Sequence, residues 1–294
     1  MFSVRVALAA AVTAAAVTAC SGPSAPARSD AVPATYYLAL GDSLSQGVQP
    51  DAAGTSVETG QGYADQLYAM LRRGQPGLKL VKLGCPGETT ATMIHGGICR
   101  YRGGSQLAAA VAFLSAHRGH LYLVTIDIGA NDPEDCGSGG VSLRTLTTCI
   151  GTDIPDAVSN LDTILARLRA AAGPSVRIVG MSYYLPALAV WRDGLAGQAV
   201  AWVGERLAAG YKDLLDNAYA KSDVRVANVF GAFDTSDFGN RETVPGVGTV
   251  PRNVALICRW TWECAGPPRG PNQHANQAGY GVIARAFLSA AGLS

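Results

Sequence analysis

From residue 36 onward, short apolar runs alternate with longer stretches in which apolar residues recur at helical spacing. Residues 36–40 (YYLAL) read as a first strand. Residues 62–72 (GYADQLYAMLR) carry a helical period, and 78–83 (LKLVKL) read as a second strand. A helix over 107–117 precedes the most apolar strand, 121–128 (LYLVTIDI). A helix over 154–172 stops at Gly173-Pro174, and 176–181 (VRIVGM) forms a fourth strand. A long helix over 196–220, a strand over 224–229 (VRVANV) and a closing helix over 276–291 complete the pattern. Strands that alternate with helices predict a three-layer α/β/α fold around a mostly parallel sheet of five strands. The segment 233–270 is rich in Gly and Pro and has no clear period. In such sheets ligands bind beyond the carboxyl ends of the strands, so chemistry is sought in the residues that follow each strand.

The first residues break the pattern. MFSVRVALAAAVTAAAVTAC has an Arg near its start and then an apolar run ending at Ala19. The run is short against the ~20 residues of a membrane-spanning helix and suits the apolar region of a signal peptide. Its end, Val17-Thr18-Ala19-Cys20, resembles a bacterial lipobox, which implies a lipoprotein signal over 1–19 and a diacylglyceryl group on the Cys20 thiol. An ordinary secretory signal is the alternative. Residues 20–34, rich in Ser, Pro and Ala, read as a flexible tether, and 35–294 as one domain. The expected location is the outer face of the cytoplasmic membrane through the lipid anchor, or else the secreted space.

Composition narrows the partners. The net charge is +1 and 15% of the 294 residues are charged, with no basic stripe, so a nucleic-acid partner is not expected. Seven cysteines is an odd number for an exported protein. Setting Cys20 aside leaves Cys85, Cys99, Cys136, Cys149, Cys258 and Cys264. Nearest-neighbour disulfides are expected, because each closes a short loop in an oxidising compartment. A zinc site is the rival, but no C-x-x-C pair exists and no metal is expected.

Four strand or helix ends carry candidate chemistry. After the first strand comes Gly41-Asp42-Ser43-Leu44, in which Ser43 is either a turn residue or a nucleophile. After the second comes Gly84-Cys85-Pro86-Gly87-Glu88, where Gly87 can present a bare N–H. After the third comes Gly129-Ala130-Asn131-Asp132, and the Asn131 amide can donate to an oxyanion. His274, just before the last helix, suits a general base. His95, His117 and His120 lie at less favourable places.

Taken in order, Gly41-Asp42-Ser43-Leu44, Gly87, Gly129-Ala130-Asn131-Asp132 and His274 resemble the four blocks of the GDSL, or SGNH, hydrolase family. The resemblance runs from about residue 36 to the end of the chain. It implies a flavodoxin-like α/β/α fold and a serine esterase or lipase with a Ser43–His274 dyad. The implied oxyanion hole comprises the N–H groups of Ser43 and Gly87 and the Asn131 side chain. Asp42 would brace the nucleophile turn. The six cysteines resemble those of three-disulfide secreted esterases of the family. No cofactor is implied, the substrate is a small-molecule, lipid or glycan ester, and a monomer is expected. The family often places an Asp three residues before the histidine, where this chain has Pro271. The Pro271 main-chain carbonyl is therefore expected to accept from His274 Nδ1–H, with Glu263 or an acid distant in sequence as the alternative. Trp260 and Trp262 could floor the pocket or pack in the core. A carbohydrate O-acetyl esterase, or a surface binding protein without turnover, is the alternative function.

Overall fold

The computed structural model describes residues 35–133 and 149–293. The expected signal, tether and lipidation site at Cys20 lie outside these residues, and so does Cys136.

Five strands form one sheet: β1 (Thr35–Gly41), β2 (Leu78–Lys82), β3 (Leu121–Asp127), β4 (Arg177–Ser182) and β5 (Arg225–Asn228). Their order is β2-β1-β3-β4-β5 and every pairing is parallel, with Leu38 opposite Val81 on one side and Val124 on the other. Strand order reverses between β1 and β3, the place where doubly wound sheets open a crevice for ligands.

Alternation along β1 explains the two helical layers. Tyr37 and Ala39 face one apolar cluster and Leu38 and Leu40 the other, and all four are fully buried. The first cluster is covered by α1 (Tyr63–Leu71), α5 (Arg252–Trp260) and α6 (Gln277–Ala291), through Tyr63, Leu67, Val254, Ile257, Ile283 and Phe287. The second is covered by α2 (Gln106–Ala116), α3 (Ile154–Ala172) and the later turns of α4 (Gly194–Lys221). Truncating one of these core leucines to Ala would cost about 2–5 kcal/mol. Side chains cap the helices that follow the site loops: Ser105 accepts from Ala108 N at the start of α2, and Asn276 accepts from Gly279 N at the start of α6.

The segment without a clear period is structured. It holds an antiparallel hairpin, Arg241–Val244 with Gly248–Pro251, which runs directly into α5. The Cys85–Cys99 and Cys258–Cys264 disulfides are formed as nearest-neighbour pairs. The third expected pair falls outside the residues whose side chains are described.

Candidate active site

The nucleophile turn begins where β1 must end. Gly41 has φ +126°, and a Cβ there would lie 2.0 Å from the Asp127 carbonyl oxygen, so only glycine allows β1 and β3 to approach this closely. Asp42 then caps the short helix Ser43–Gln46, its Oδ1 accepting from Leu44 N at 2.9 Å. Ser45 N donates to Asp127 Oδ2 at 3.1 Å. Gly47, at φ 71°, ends the helix after a single turn. The turn thus delivers Ser43, half-buried, to the sheet edge. The expected bracing by Asp42 is present, and Asp127 shares it.

The loop after β2 is tied on several sides. Cys85 N donates to the Gly41 carbonyl at 3.0 Å, and the Cys85–Cys99 disulfide holds the same residue. Gln106, fully buried at the start of α2, links the two loops. Its Oε1 accepts from Gly41 N at 2.7 Å, and its Nε2 donates to Gly41 O and to Glu88 Oε2, both at 2.9 Å. Gly87 adopts φ 80°, and a Cβ there would meet nothing within 4 Å. The glycine is therefore required for its backbone conformation, not to clear space.

After β3, Asn131 Nδ2 donates to the Glu88 carbonyl at 2.9 Å, which leaves its second amide hydrogen for another acceptor. Asp132 accepts from Thr90 N at 3.1 and 3.0 Å and from the Thr90 hydroxyl, which fixes the following turn to the β2 loop. Among the described residues, the N–H groups of Ser43 and Gly87 donate to no protein acceptor.

His274 comes from the loop between α5 and α6. That loop is held by an antiparallel bridge, Thr261 with Ala275, and by Tyr184 donating to Gln273 O at 2.9 Å. His274 Nε2 lies 3.0 Å from Ser43 Oγ. Its Nδ1 lies 2.8 Å from Asn272 Oδ1. The expected partner, the Pro271 carbonyl, does not occupy that place. The Asn272 side chain folds back over its own turn, and Oδ1 also accepts from His274 N at 3.0 Å. Glu263, the other candidate, makes no hydrogen bond to the ring; burial pushes its carboxyl up.

These contacts fix the tautomer. The atom facing His274 N–H must be an acceptor, so it is the Asn272 oxygen, while Nδ2 donates to Ser56 Oγ at 3.1 Å. That oxygen can only accept, so Nδ1 carries the hydrogen and Nε2 offers its lone pair to the Ser43 hydroxyl. Burial lowers the His274 pKa from 6.5 to about 4, so the ring is neutral at pH 7.

Ser43, Gly87, Asn131 and His274 line a single cleft of about 360 Å³, together with Val48, Ser56, Glu58, Pro86 and Gln273. Trp260 and Trp262 are not part of this lining. Trp260 packs edge-on against Phe233 in the core, and Trp262 Nε1 donates to Gln49 Oε1 at 3.4 Å. Asn272, Gln106 and Asp127 also hold the site, and none of them belongs to a motif visible in the sequence. A polar residue two before the histidine is the signal that could have found Asn272, since Asx turns return to the amide two residues on.

Known proteins share this fold. No curated protein sequence matches the chain. Among solved structures, an acetylxylan esterase from Geobacillus stearothermophilus aligns with TM-score 0.54 at 16% identity, over 88% of this chain and 95% of that one. Phospholipase A1 from Streptomyces albidoflavus aligns with TM-score 0.52 at 20% identity, over 88% of this chain and 100% of that one. At such identity the likeness extends to the fold. The model of the GDSL-like lipase/acylhydrolase family matches residues 39–282, from within β1 to within α6. The chain therefore belongs to the GDSL-like lipase/acylhydrolase family.

Proposed function

We propose that the protein is a serine carboxylic-ester hydrolase working through an acyl-enzyme. The observation that carries this reading is the 3.0 Å approach of Ser43 Oγ to a His274 Nε2 whose other nitrogen is already held by Asn272. Ser43 Oγ attacks the ester carbonyl as its proton passes to Nε2. The charge forming on the carbonyl oxygen is met by Ser43 N–H, Gly87 N–H and the Asn131 amide. The imidazolium then gives its proton to the leaving alcohol, and water activated by the same ring releases the acid. A neutral Asn272 oxygen fixes the ring but stabilises the imidazolium less than a carboxylate would.

A small cleft with Ser56, Glu58 and Gln273 on its walls favours a short acyl group on a polar alcohol, the reading in which the substrate is an acetylated glycan. The test is turnover of a chain-length series of p-nitrophenyl esters beside acetylated oligosaccharides. Ser43→Ala should abolish both turnover and labelling by a fluorophosphonate probe; labelling that survives would remove Ser43 as nucleophile. We also propose that the mature protein is anchored by acylation of Cys20, with mass analysis of its amino-terminal peptide as the check. An unmodified cysteine, or cleavage elsewhere, would leave a secreted enzyme.

A further inference from the structure

Two carboxyl groups are buried beneath the nucleophile turn. Asp42 is 2% exposed and Asp127 0%. They sit at the ends of adjacent strands β1 and β3, where Asp42 N donates to the Asp127 carbonyl at 3.0 Å, and their side chains are within hydrogen-bond reach of each other. The groups that hydrogen-bond to the two carboxyls all donate. Leu44 N and the Tyr183 hydroxyl (3.5 Å) serve Asp42; Ser45 N and the Tyr63 hydroxyl serve Asp127.

No cation balances the pair among the described residues. The titratable groups that act on it are phenols and acids: Tyr63 from α1, Tyr183 from the loop after β4, and Asp132 from the loop after β3. Tyr37 of β1 is pushed up by burial and by Asp127, and Tyr184, Tyr219 of α4 and Tyr280 of α6 by burial and by both acids. Two unpaired carboxylates side by side in such a site would each be desolvated and would repel. Burial raises both, Asp127 the more strongly, and a proton on Asp127 relieves Asp42.

We propose that Asp42 and Asp127 share one proton, and that this singly charged pair is a device for aiming Ser43, with Asp127 as its neutral member and a positioning residue. The proposal rests on Ser43 being the nucleophile. A shared proton turns a contact between two acceptors into a hydrogen bond. The pair then absorbs the N–H groups of Leu44 and Ser45, the two amides that follow Ser43. Ser43 N–H is left as the amide of the turn that faces the cleft. If the pair ionises fully, the two charges push β1 and β3 ends apart and the turn loses its aim.

Asp127→Asn keeps a donor toward Asp42 and one of the two acceptor oxygens that Tyr63 and Ser45 use, but has no proton to lose. Asp127→Ala removes all three contacts. Three readouts test the pair. In the infrared, wild type at neutral pH should show the carbonyl stretch of a buried protonated carboxyl, and Asp127→Asn should lack it. A carboxyl with a raised folded pKa holds more protons folded than unfolded, so wild-type melting temperature should fall as pH rises above the ordinary carboxylate range. Asp127→Asn should flatten that fall. In turnover, Asp127→Ala should lose about tenfold or more in kcat with little change in KM, and Asp127→Asn should recover part of the loss while abolishing the alkaline limb of the wild-type profile. A wild type without the protonated-carboxyl band, equal slopes of melting temperature against pH, or no recovery in Asp127→Asn would overturn the proposal. The first two readouts need no substrate, so they stand even if Ser43→Ala leaves turnover intact. They also need only Asp127→Asn, should Asp127→Ala not fold.

Discussion

Replacing Asn272 probes how the base works without an acid. In the resting enzyme Oδ1 accepts from neutral His274 Nδ1–H at 2.8 Å and from His274 N at 3.0 Å. When the Ser43 proton reaches Nε2, the ring becomes cationic and the Nδ1 bond becomes charge-assisted. Such a bond is roughly twice as strong as a neutral one of about 0.5–1.5 kcal/mol net. Only the part gained on the way to the transition state accelerates the reaction, which here is about 1 kcal/mol, or about fivefold in kcat. Loss of ring orientation adds to this, so Asn272→Ala should lower kcat by about 5- to 50-fold with KM nearly unchanged.

Asn272→Asp moves the other way. A carboxylate about 4 Å from the imidazolium centre would attract it by about 4 kcal/mol at an effective dielectric of ~20. The turn is half-exposed, which reduces the expected rise in the His274 pKa to about 1–3 units. The assay is kcat/KM for a short-chain ester from acid to neutral pH. The base must be unprotonated, so wild type should keep its activity down to a limb near the lowered His274 pKa of about 4. In Asn272→Asp the limb should move up. An unmoved limb, together with full activity in Asn272→Ala, would refute the assignment of Asn272. The same burial has a stability signature: the unfolded ring takes a proton first, so the fold should lose stability as pH falls from the ordinary value toward about 4.

Asn131→Ala removes an oxyanion donor and should lower kcat by about 10²–10³ while KM barely moves; a pure KM effect would argue for substrate binding alone. Gly87→Ala meets no steric obstacle but strains a left-handed residue by about 1–2 kcal/mol, so the loop should reorient and kcat fall, with circular dichroism unchanged. Cys85→Ser with Cys99→Ser opens a loop of sequence separation 14 and should cost about 3 kcal/mol in denaturant unfolding, with a larger proportional loss of activity than of secondary structure.

Much of this was legible in the chain because local and global signals agree. Strand β3 is bounded by a turn before Leu121 and a glycine after it, whereas its position beside β1 is seen only in the folded sheet. The four motif residues stand at strand and helix ends, which is where a doubly wound sheet gathers its chemistry. Helix α5 is amphipathic but only nine residues long, and it follows a hairpin inside a segment rich in Gly and Pro, so its period is too brief to stand out. Asp127 is one polar position in an apolar strand. Its meaning depends on Asp42, far away in the chain, and no local pattern encodes a contact between strand ends. The family pattern points three residues before the histidine, to Pro271, while the turn itself brings the second residue, Asn272, back to the ring.

The base and the group that orients it occupy one turn, Asn272-Gln273-His274, outside the sheet. The nucleophile and the oxyanion donors come from three neighbouring strands whose positions are locked by the core. The acid limit of the base is therefore set by the burial of His274 and can be moved by the surface-proximal side chain that accepts from its Nδ1. A lineage under pressure to act in a more acid or more neutral setting could change that one residue and retune the base. The machinery that recognises the ester would remain as it is, so adaptation to a new environment and retention of the old substrate need not compete.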